Sequence, residues 1–282
     1  MKDKRSLIAI VPFVILVLIF ELAPLTSIMI NSLTDANGQF TLQNFIRIFT
    51  TNLYRDSIAG SLQISLISSL IGIVIAFLGV KAMNSSGKIL RGFFGSVLNI
   101  TSNFAGIPLA FAFIILLGNA GILTLIGKQW GISFLKNFNI YSLNGLMLTY
   151  VYFQIPLATL LLLPSFHILK EEWREVVAMS GGNATTYWFK IALPNLLPAL
   201  LGTFSVLFAN AIAAYATGYA LLSGNAMLLP IRISEQFVGD IISDKHFGSA
   251  LAVVLMALMV ITALILNVWQ HRCKGGEDIE KQ

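Results

Sequence analysis

The second half of the chain contains a polar sequence, EEWREVVAMSGGNATTYWFKIALP, at residues 171–194. Apolar runs of membrane-spanning length flank it on both sides. Its first part, residues 171–180, predicts a short helix with charged residues first and apolar residues in the last turns. Gly181 and Gly182 are expected to end this helix, because glycine adopts the left-handed backbone conformation at a helix C-terminus at little cost.

A second helix is expected to follow the two glycines. Asn183 or Thr185 can cap its first turn, since both side chains carry an oxygen that accepts a backbone N–H. The helix carries an aromatic run at residues 187–189 and is expected to end before Pro194, because a proline disfavours helical backbone in the residue before it. The pattern indicates a helix-turn-helix element on a loop between two membrane spans.

The spacing within this loop resembles the EAA loop of ABC-transporter inner-membrane permeases. Glu175 is followed six positions later by Gly181, and nine residues separate Gly181 from the sequence Ile-Ala-Leu-Pro that ends at Pro194. The family pattern is Glu-Ala-Ala, three residues, Gly, nine residues and Ile-x-Leu-Pro. This chain departs from it with two valines at positions 176 and 177, and with Met179 where Asp is common. An ordinary amphipathic loop on another membrane protein is the alternative interpretation.

The composition is that of a membrane protein. Of the 282 residues, 56% are hydrophobic and 11% are charged, whereas about a quarter of the residues in soluble domains are charged. The mean hydropathy is +0.81, and several apolar runs are long enough to cross a bilayer. The net charge of +5 does not indicate nucleic-acid binding, because the basic residues are scattered at segment ends. One cysteine and three distant histidines predict neither an intrachain disulfide nor a metal site.

Six transmembrane helices are expected, which makes the chain an all-α polytopic protein with one permease domain, residues 1–282. The first apolar run is longer than that of a signal peptide, so we interpret it as a retained helix. Residues 119–144 are too interrupted to span and predict a short re-entrant or interfacial helix. The six predicted spans are residues 8–30, 57–80, 97–118, 145–166, 197–222 and 247–269.

The distribution of basic residues predicts the orientation of these spans. Twelve of the 18 Lys and Arg residues lie in segments on the side of the N-terminus, and six lie on the other side. Cytoplasmic loops are enriched in Lys and Arg. Both termini and the loop 171–194 are therefore expected in the cytoplasm of a prokaryote, with the chain in its plasma membrane.

The sequence contains no motif that is typical of an enzyme active site. It has no Gly-x-x-x-x-Gly-Lys-Ser/Thr loop to hold phosphates, and no Ser/His/Asp set or His–Glu metal spacing is apparent. The chain is therefore not expected to be an enzyme or to bind a cofactor. The resemblance implies that ATP and Mg are bound by a separate cytosolic ABC ATPase dimer, whose motion passes to the membrane helices as rigid-body movement. It also implies a second permease (a sibling chain or a second copy), an extracytoplasmic solute-binding protein and membrane lipid as partners, with no nucleic acid.

The resemblance implies a role in ATPase coupling for five loop residues. Gly181 and Gly182 permit the tight turn, and Glu175 pairs with a basic or polar group on the ATPase or within the loop. Ala178 is small enough for close helix contact, and Pro194 sets the start of the fifth span.

A solute path through the membrane needs polar groups that face inward. The candidates in the spans are Asn103, Gln154, Asn210 and Tyr215. Each could instead be a hydrogen-bonding residue that joins neighbouring helices. Glu21 is an acid within the first apolar run, either functional or simply facing protein or water near the outer interface.

The sequences AYATGYALLSGNAMLLPIRISEQF at 214–237 and HFGSALAVVLMAL at 246–258 are similar to the ends of permeases for polyamines, ferric iron and aminoethylphosphonate. This resemblance implies import of a small polar solute. A polyamine such as spermidine or putrescine is the first choice, and an organophosphonate or ferric iron is the next. Two other protein classes are alternatives. An ion-coupled secondary transporter would have internal repeats with broken helices, and a multi-pass membrane enzyme would have converging reactive groups.

Overall fold

The computed structural model describes residues 11–222, 227–238 and 243–275, with the backbone alone for the last five of these. The described residues form helices joined by short connections, with one isolated β-bridge between Thr34 and Phe40. Six helices are long and apolar enough to cross a membrane. The predicted all-α class and the number of spans are therefore confirmed. The start of the first predicted span, residues 8–10, and both termini lie outside the described residues.

We number the helices of the described residues α1 to α13 in chain order. The first contains a π-helical turn at Leu18–Leu22, the eighth continues into a 3-10 turn at Leu163–Ile168, and the tenth contains a π-helical turn at Trp188–Ala192. The bounds are α1 Val11–Ser32, α2 Gln43–Thr50, α3 Asn52–Asn84, α4 Lys88–Ser102, α5 Ile107–Leu117, α6 Ile122–Trp130, α7 Ser133–Asn137, α8 Leu143–Leu162, α9 Glu172–Met179, α10 Ala184–Ile212, α11 Ala216–Leu222, α12 Leu229–Val238 and α13 Lys245–Gly275.

The third span differs from the prediction of residues 97–118. The helix that contains the start of this range, α4, ends at Ser102, and α5 begins only at Ile107 after Gly106, whose φ is 73°. The apolar span is Ile107–Trp130, so the range that was expected to be too interrupted supplies its second part. Hydropathy alone predicted the wrong bounds for the third span, because polar side chains near residue 100 are tolerated where the helix breaks.

The fifth span also differs, and the helix does not end before Pro194. It runs as α10 from Ala184 to Ile212 and is followed by a separate short helix, α11. Proline lacks an N–H and clashes with the carbonyl four residues earlier. The π-helical turn before Pro194 avoids this conflict, since the Leu193 amide donates to the carbonyl of Trp188, five residues back. The Asn195 side chain donates to the Ile191 carbonyl at 2.7 Å and satisfies that acceptor.

The contacts divide the chain into two compact units. One comprises the described parts of Met1–Ile58 and Met227–Ala257. Within it, the Arg47 guanidinium lies 4.2 Å from the ring centroid of Phe247 and 3.5 Å from the Asp244 carboxylate. His246 Nδ1 lies 3.2 Å from the Thr34 hydroxyl. These contacts fix the start of α13 to α2 and to the segment after α1.

The other unit comprises Ala59–Ala226 and the described part of Leu258–Gln282. Its core is formed where α3, α8 and α10 meet. The helices approach closely because small residues line the contact: a Cβ on Gly72 of α3 would lie 2.9 Å from the Cβ of Gln154 on α8. The buried apolar side chains of this core are Ile73, Ala76, Val80, Ala158, Leu162, Phe166, Leu196 and Leu207.

Candidate functional site

The loop between α8 and α10 forms the predicted helix-turn-helix element. Helix α9 ends at Met179, and Gly181 adopts a φ of 76°, which only glycine takes without strain. The amide of Gly182 then donates to the Val177 carbonyl at 2.8 Å. A Cβ on Gly182 would lie 2.6 Å from Cγ1 of Val177. The turn therefore requires glycine at both positions, at the first for its backbone and at the second for space.

The N-cap of α10 is Asn183, the first of the two predicted candidates. Its Oδ1 accepts hydrogen bonds from the Thr186 amide at 2.9 Å and from the Thr186 hydroxyl at 3.1 Å. Because the cap follows the glycine turn directly, local hydrogen bonds help to fix the end of α9 to the start of α10.

One side of α9 packs on α10 and the other is exposed. Val177 is buried against Tyr187 and Ala192. The exposed side, which we call the outer face of α9, consists of Glu175, Val176, Ala178 and Met179. Met179 is 80% exposed and Val176 is 54% exposed. The two large apolar side chains were not among the predicted site residues, although their spacing on one helix face could have indicated a contact surface.

Cation–aromatic contacts form within this loop and join it to the rest of the unit. Lys81 Nζ, in the last turn of α3, lies 4.2 Å from the ring centroid of Trp188. The Arg174 guanidinium lies 5.3 Å from the ring centroid of Tyr187. Trp188 also packs edge-on against Phe77 of α3, with ring centroids 5.8 Å apart. The loop is therefore held against the end of α3, a contact that no local sequence pattern indicated.

Two helix breaks lie side by side in the same unit. The first separates α4 from α5 at residues 103–106, and the second separates α10 from α11 at residues 213–215. The Thr217 hydroxyl, in the first turn of α11, donates to the Gly106 carbonyl at 3.2 Å. The Tyr150 hydroxyl of α8 donates to the Ala214 carbonyl at 2.6 Å. Backbone carbonyls that the breaks release are thus satisfied by side chains of neighbouring helices.

Three of the predicted path residues lie at these paired breaks. Asn103 is the C-cap of α4 and is exposed, with its side chain donating to the Asn99 carbonyl at 2.8 Å. Asn210 is exposed in the last turn of α10. Tyr215 lies within the second break and stacks on Tyr219, with ring centroids 5.3 Å apart. Polar side chains and interrupted helices therefore coincide at one place.

The other two candidates lie elsewhere. Gln154 is fully buried and donates to the Ser69 hydroxyl at 3.1 Å and to the Leu207 carbonyl at 2.8 Å. This geometry favours the helix-joining role. Glu21 is exposed in the π-helical turn of α1, in the other compact unit. Among the residues whose side chains the structure describes, no group of three or more His, Cys, Asp or Glu could hold a metal ion.

Comparison with known proteins agrees with this architecture. Residues 68–273 match the family model of the binding-protein-dependent transport system inner membrane component. A probable sulfate transport system permease protein, cysT, of Helicosporidium sp. subsp. Simulium jonesii is 20% identical, over 94% of this chain and 92% of the relative. A putative ferric transport system permease protein, FbpB 1, of Haemophilus influenzae is 22% identical, over 92% of this chain and 41% of the relative.

A similar fold occurs in a solved structure. The crystal structure of a bacterial ABC transporter involved in the import of the acidic polysaccharide alginate contains a chain with a TM-score of 0.77 at 14% identity, with 96% of both chains covered. The family match covers well over half of the sequence, including the loop 171–194 and both helix breaks. The chain therefore belongs to the family of inner-membrane components of binding-protein-dependent transport systems, and its family is one of transport permeases rather than enzymes.

Proposed function

We propose that this chain is the transmembrane permease subunit of an ATP-driven importer and that the loop 171–194 couples it to a cytosolic ATPase. The observation that carries the proposal is the outer face of α9. It presents Glu175, Ala178 and two large apolar side chains to solvent, on a turn whose geometry Gly181 and Gly182 define. An exposed apolar patch rimmed by charge is typical of a protein-binding surface.

The loop is built to transmit movement. The turn and the Asn183 cap fix α9 to the start of α10, and α10 continues through Pro194 into the membrane without interruption. The contact between Lys81 and Trp188 adds a link to α3. A displacement of α9 by the ATPase would therefore move two membrane helices as rigid bodies.

The partners follow from the same scheme. We propose two permease chains, a cytosolic ATPase dimer that carries ATP and Mg, and an extracytoplasmic solute-binding protein. Residues 1–282 would act as one permease domain in a prokaryotic plasma membrane, with the termini in the cytoplasm. The family description, which names binding-protein-dependent transport, supports the solute-binding partner.

The solute path is proposed at the paired helix breaks, with Asn103, Asn210 and Tyr215 as contacts. The solute is a small polar molecule or ion. A polyamine remains the first candidate from the sequence, with an organophosphonate and ferric ion as alternatives. The relative named for ferric transport supports the last of these.

Purification of the full chain from membranes tests the proposal. We expect a P-loop ATPase to co-purify stoichiometrically and to be lost on Glu175→Ala, because that change removes the acid from the outer face. Asp56→Ala, which removes an exposed acid of α3 far from the loop, is the control. A chain that purifies alone and still transports its solute would favour the ion-coupled secondary transporter instead. A co-purified binding protein would be screened against spermidine, an aminoalkylphosphonate and ferric ion.

A further inference from the structure

A cavity of about 310 Å³ lies beside the loop 171–194. It is formed by the end of α3, the 3-10 turn after α8, the start of α9 and the start of α10. Side chains with cationic groups line it from two directions: Lys81 comes from α3, whereas Lys170 immediately precedes the loop and Arg174 lies in α9. The cavity therefore spans the boundary between a membrane helix and the coupling loop.

The lining carries an excess of positive charge. Three cations face one carboxylate, that of Glu171. Among the residues that the structure describes, ion pairs occur between Arg47 and Asp244 and between Arg232 and Glu235. The cations of the cavity therefore form no ion pair with a carboxylate of the described residues, although Glu171 lies in the same lining.

Aromatic rings hold two of these cations in place. Lys81 Nζ lies over Trp188, and the Arg174 guanidinium lies over Tyr187. A cation on a ring face keeps its charge and can direct its N–H groups elsewhere. Tyr187 is buried and Trp188 is half-buried, so the two rings form a fixed base for the charged groups.

The position of the cavity indicates what can reach it. Lys81 is in the last turn of the membrane helix α3, and Trp188 is in the first turns of the membrane helix α10. Paired Lys and Trp side chains at the end of a span are typical of the membrane–water boundary. Basic pockets between helices on the cytoplasmic side are suited to anionic lipid head groups.

We propose that this cavity binds a phosphate group, supplied either by an anionic phospholipid of the inner leaflet or by free phosphate. Lys ammonium and Arg guanidinium groups are the side chains that bind phosphate through charge-assisted hydrogen bonds. The cavity volume of about 310 Å³ exceeds that of a phosphate ion and leaves room for part of a head group.

A bound phosphate would join Lys81 of α3 to Lys170 and to Arg174 of α9. It would strengthen the existing contact between Lys81 and Trp188 and restrict movement of α9 relative to α3. This regulatory consequence rests on the proposed coupling function, and the choice of the inner leaflet rests on the proposed orientation, whereas binding of a phosphate group in the cavity rests on neither.

The test uses the full chain, purified in detergent and freed of lipid. Native mass spectrometry measures retention of phosphatidylglycerol against phosphatidylcholine, and thermal unfolding at constant ionic strength measures binding of inorganic phosphate. We expect the half-saturating concentration to rise about fivefold for each cation removed, in Lys81→Gln and Arg174→Gln. Lys170→Gln provides a third variant that disturbs no ring contact. Lys190→Gln, which makes the same charge change in the same loop outside the cavity, is the control.

The outcomes separate the two sources. Preference for phosphatidylglycerol that the cavity variants weaken identifies the lipid head group, and stabilisation by inorganic phosphate alone identifies the free anion. Equal binding of all ligands by Lys81→Gln, Arg174→Gln and Lys190→Gln, or no binding at all, overturns the proposal. Because neither measurement uses transport or the ATPase, a chain that failed the co-purification test could still show the anion site, and the reverse also holds.

Discussion

The side-chain amide of Gln154 on α8 donates a 2.8 Å hydrogen bond to the carbonyl oxygen of Leu207 on α10. The same nitrogen donates to the Ser69 hydroxyl of α3. One buried side chain thus joins three membrane helices at the centre of the larger unit. An unsatisfied polar group costs several kcal/mol in hydrocarbon, so such bonds are retained where helices meet.

We predict that Gln154→Leu lowers stability without changing solute preference. The substitution leaves the Leu207 carbonyl and the Ser69 hydroxyl without this donor, and a loss of about 1–2 kcal/mol is expected. Thermal unfolding of the purified chain and uptake normalised to the amount of folded protein provide the measurement. A changed solute preference at normal stability would instead place Gln154 in the path.

The opposite result is expected for Asn210→Ala. Asn210 is exposed beside the second helix break, so its removal should leave folding unchanged and should alter uptake or solute preference. Transport assays with two competing solutes, at matched amounts of membrane protein, measure the effect. Asn37→Ala, at an exposed asparagine of the other compact unit, is the control. Unchanged uptake and preference in Asn210→Ala would remove this residue from the path.

Gly181→Val should abolish transport and leave membrane insertion intact. A side chain with a Cβ at a φ of 76° costs about 1–2 kcal/mol, and the turn would relax by moving α9. The expected readout is loss of the co-purified ATPase from a chain that still reaches the membrane.

Gly38→Val separates this local effect from a general one. Gly38 has a φ of 75°, and no atom lies within 4 Å of the point that a Cβ would occupy there. The substitution therefore carries the same backbone penalty outside the loop. Normal transport by Gly181→Val, or an equal loss in both variants, would contradict the proposed role of the turn.

Asn183→Ala should loosen the start of α10, because the Thr186 amide loses its capping oxygen. A loss of about 1 kcal/mol is expected for such a change, and Asn183→Ser should retain most of the stability. Hydrogen exchange at residues 184–187 measures the effect directly. Equal protection in the Ala and Ser variants would show that the cap does not stabilise this helix.

The local features of the loop could be predicted from the sequence because they depend on near neighbours. The left-handed Gly181, the end of α9 and the Asn183 cap each involve residues within a few positions of one another. The number of spans could also be predicted, because it depends on how many apolar runs are long enough to cross a bilayer.

The helix breaks could not be predicted in the same way. Asn103 and Tyr215 stand out in the sequence as polar residues in apolar runs, but the breaks beside them depend on the hydrogen bonds of Thr217 and Tyr150 to distant carbonyls. The contact between Lys81 and Trp188 likewise joins residues that lie far apart in the sequence. Hydropathy reports how apolar a segment is, and it contains no information on which carbonyls a neighbouring helix can satisfy.

The π-helical turn at Trp188–Ala192 also determines how the loop is oriented about the axis of α10. A π turn holds one residue more than a regular α-helical turn, and each residue of an α-helix corresponds to about 100° of rotation. Deleting one residue from the π turn would leave a regular α-helical turn in nearly the same angular position, whereas deleting one residue from the regular helix after Pro194 would turn the outer face of α9 by about 100° relative to the rest of α10. We expect the second deletion to abolish ATPase co-purification although every side chain of the outer face is retained. The rotational position of the outer face of α9 about the axis of α10 is thus as specific a property of this chain as the residues on that face.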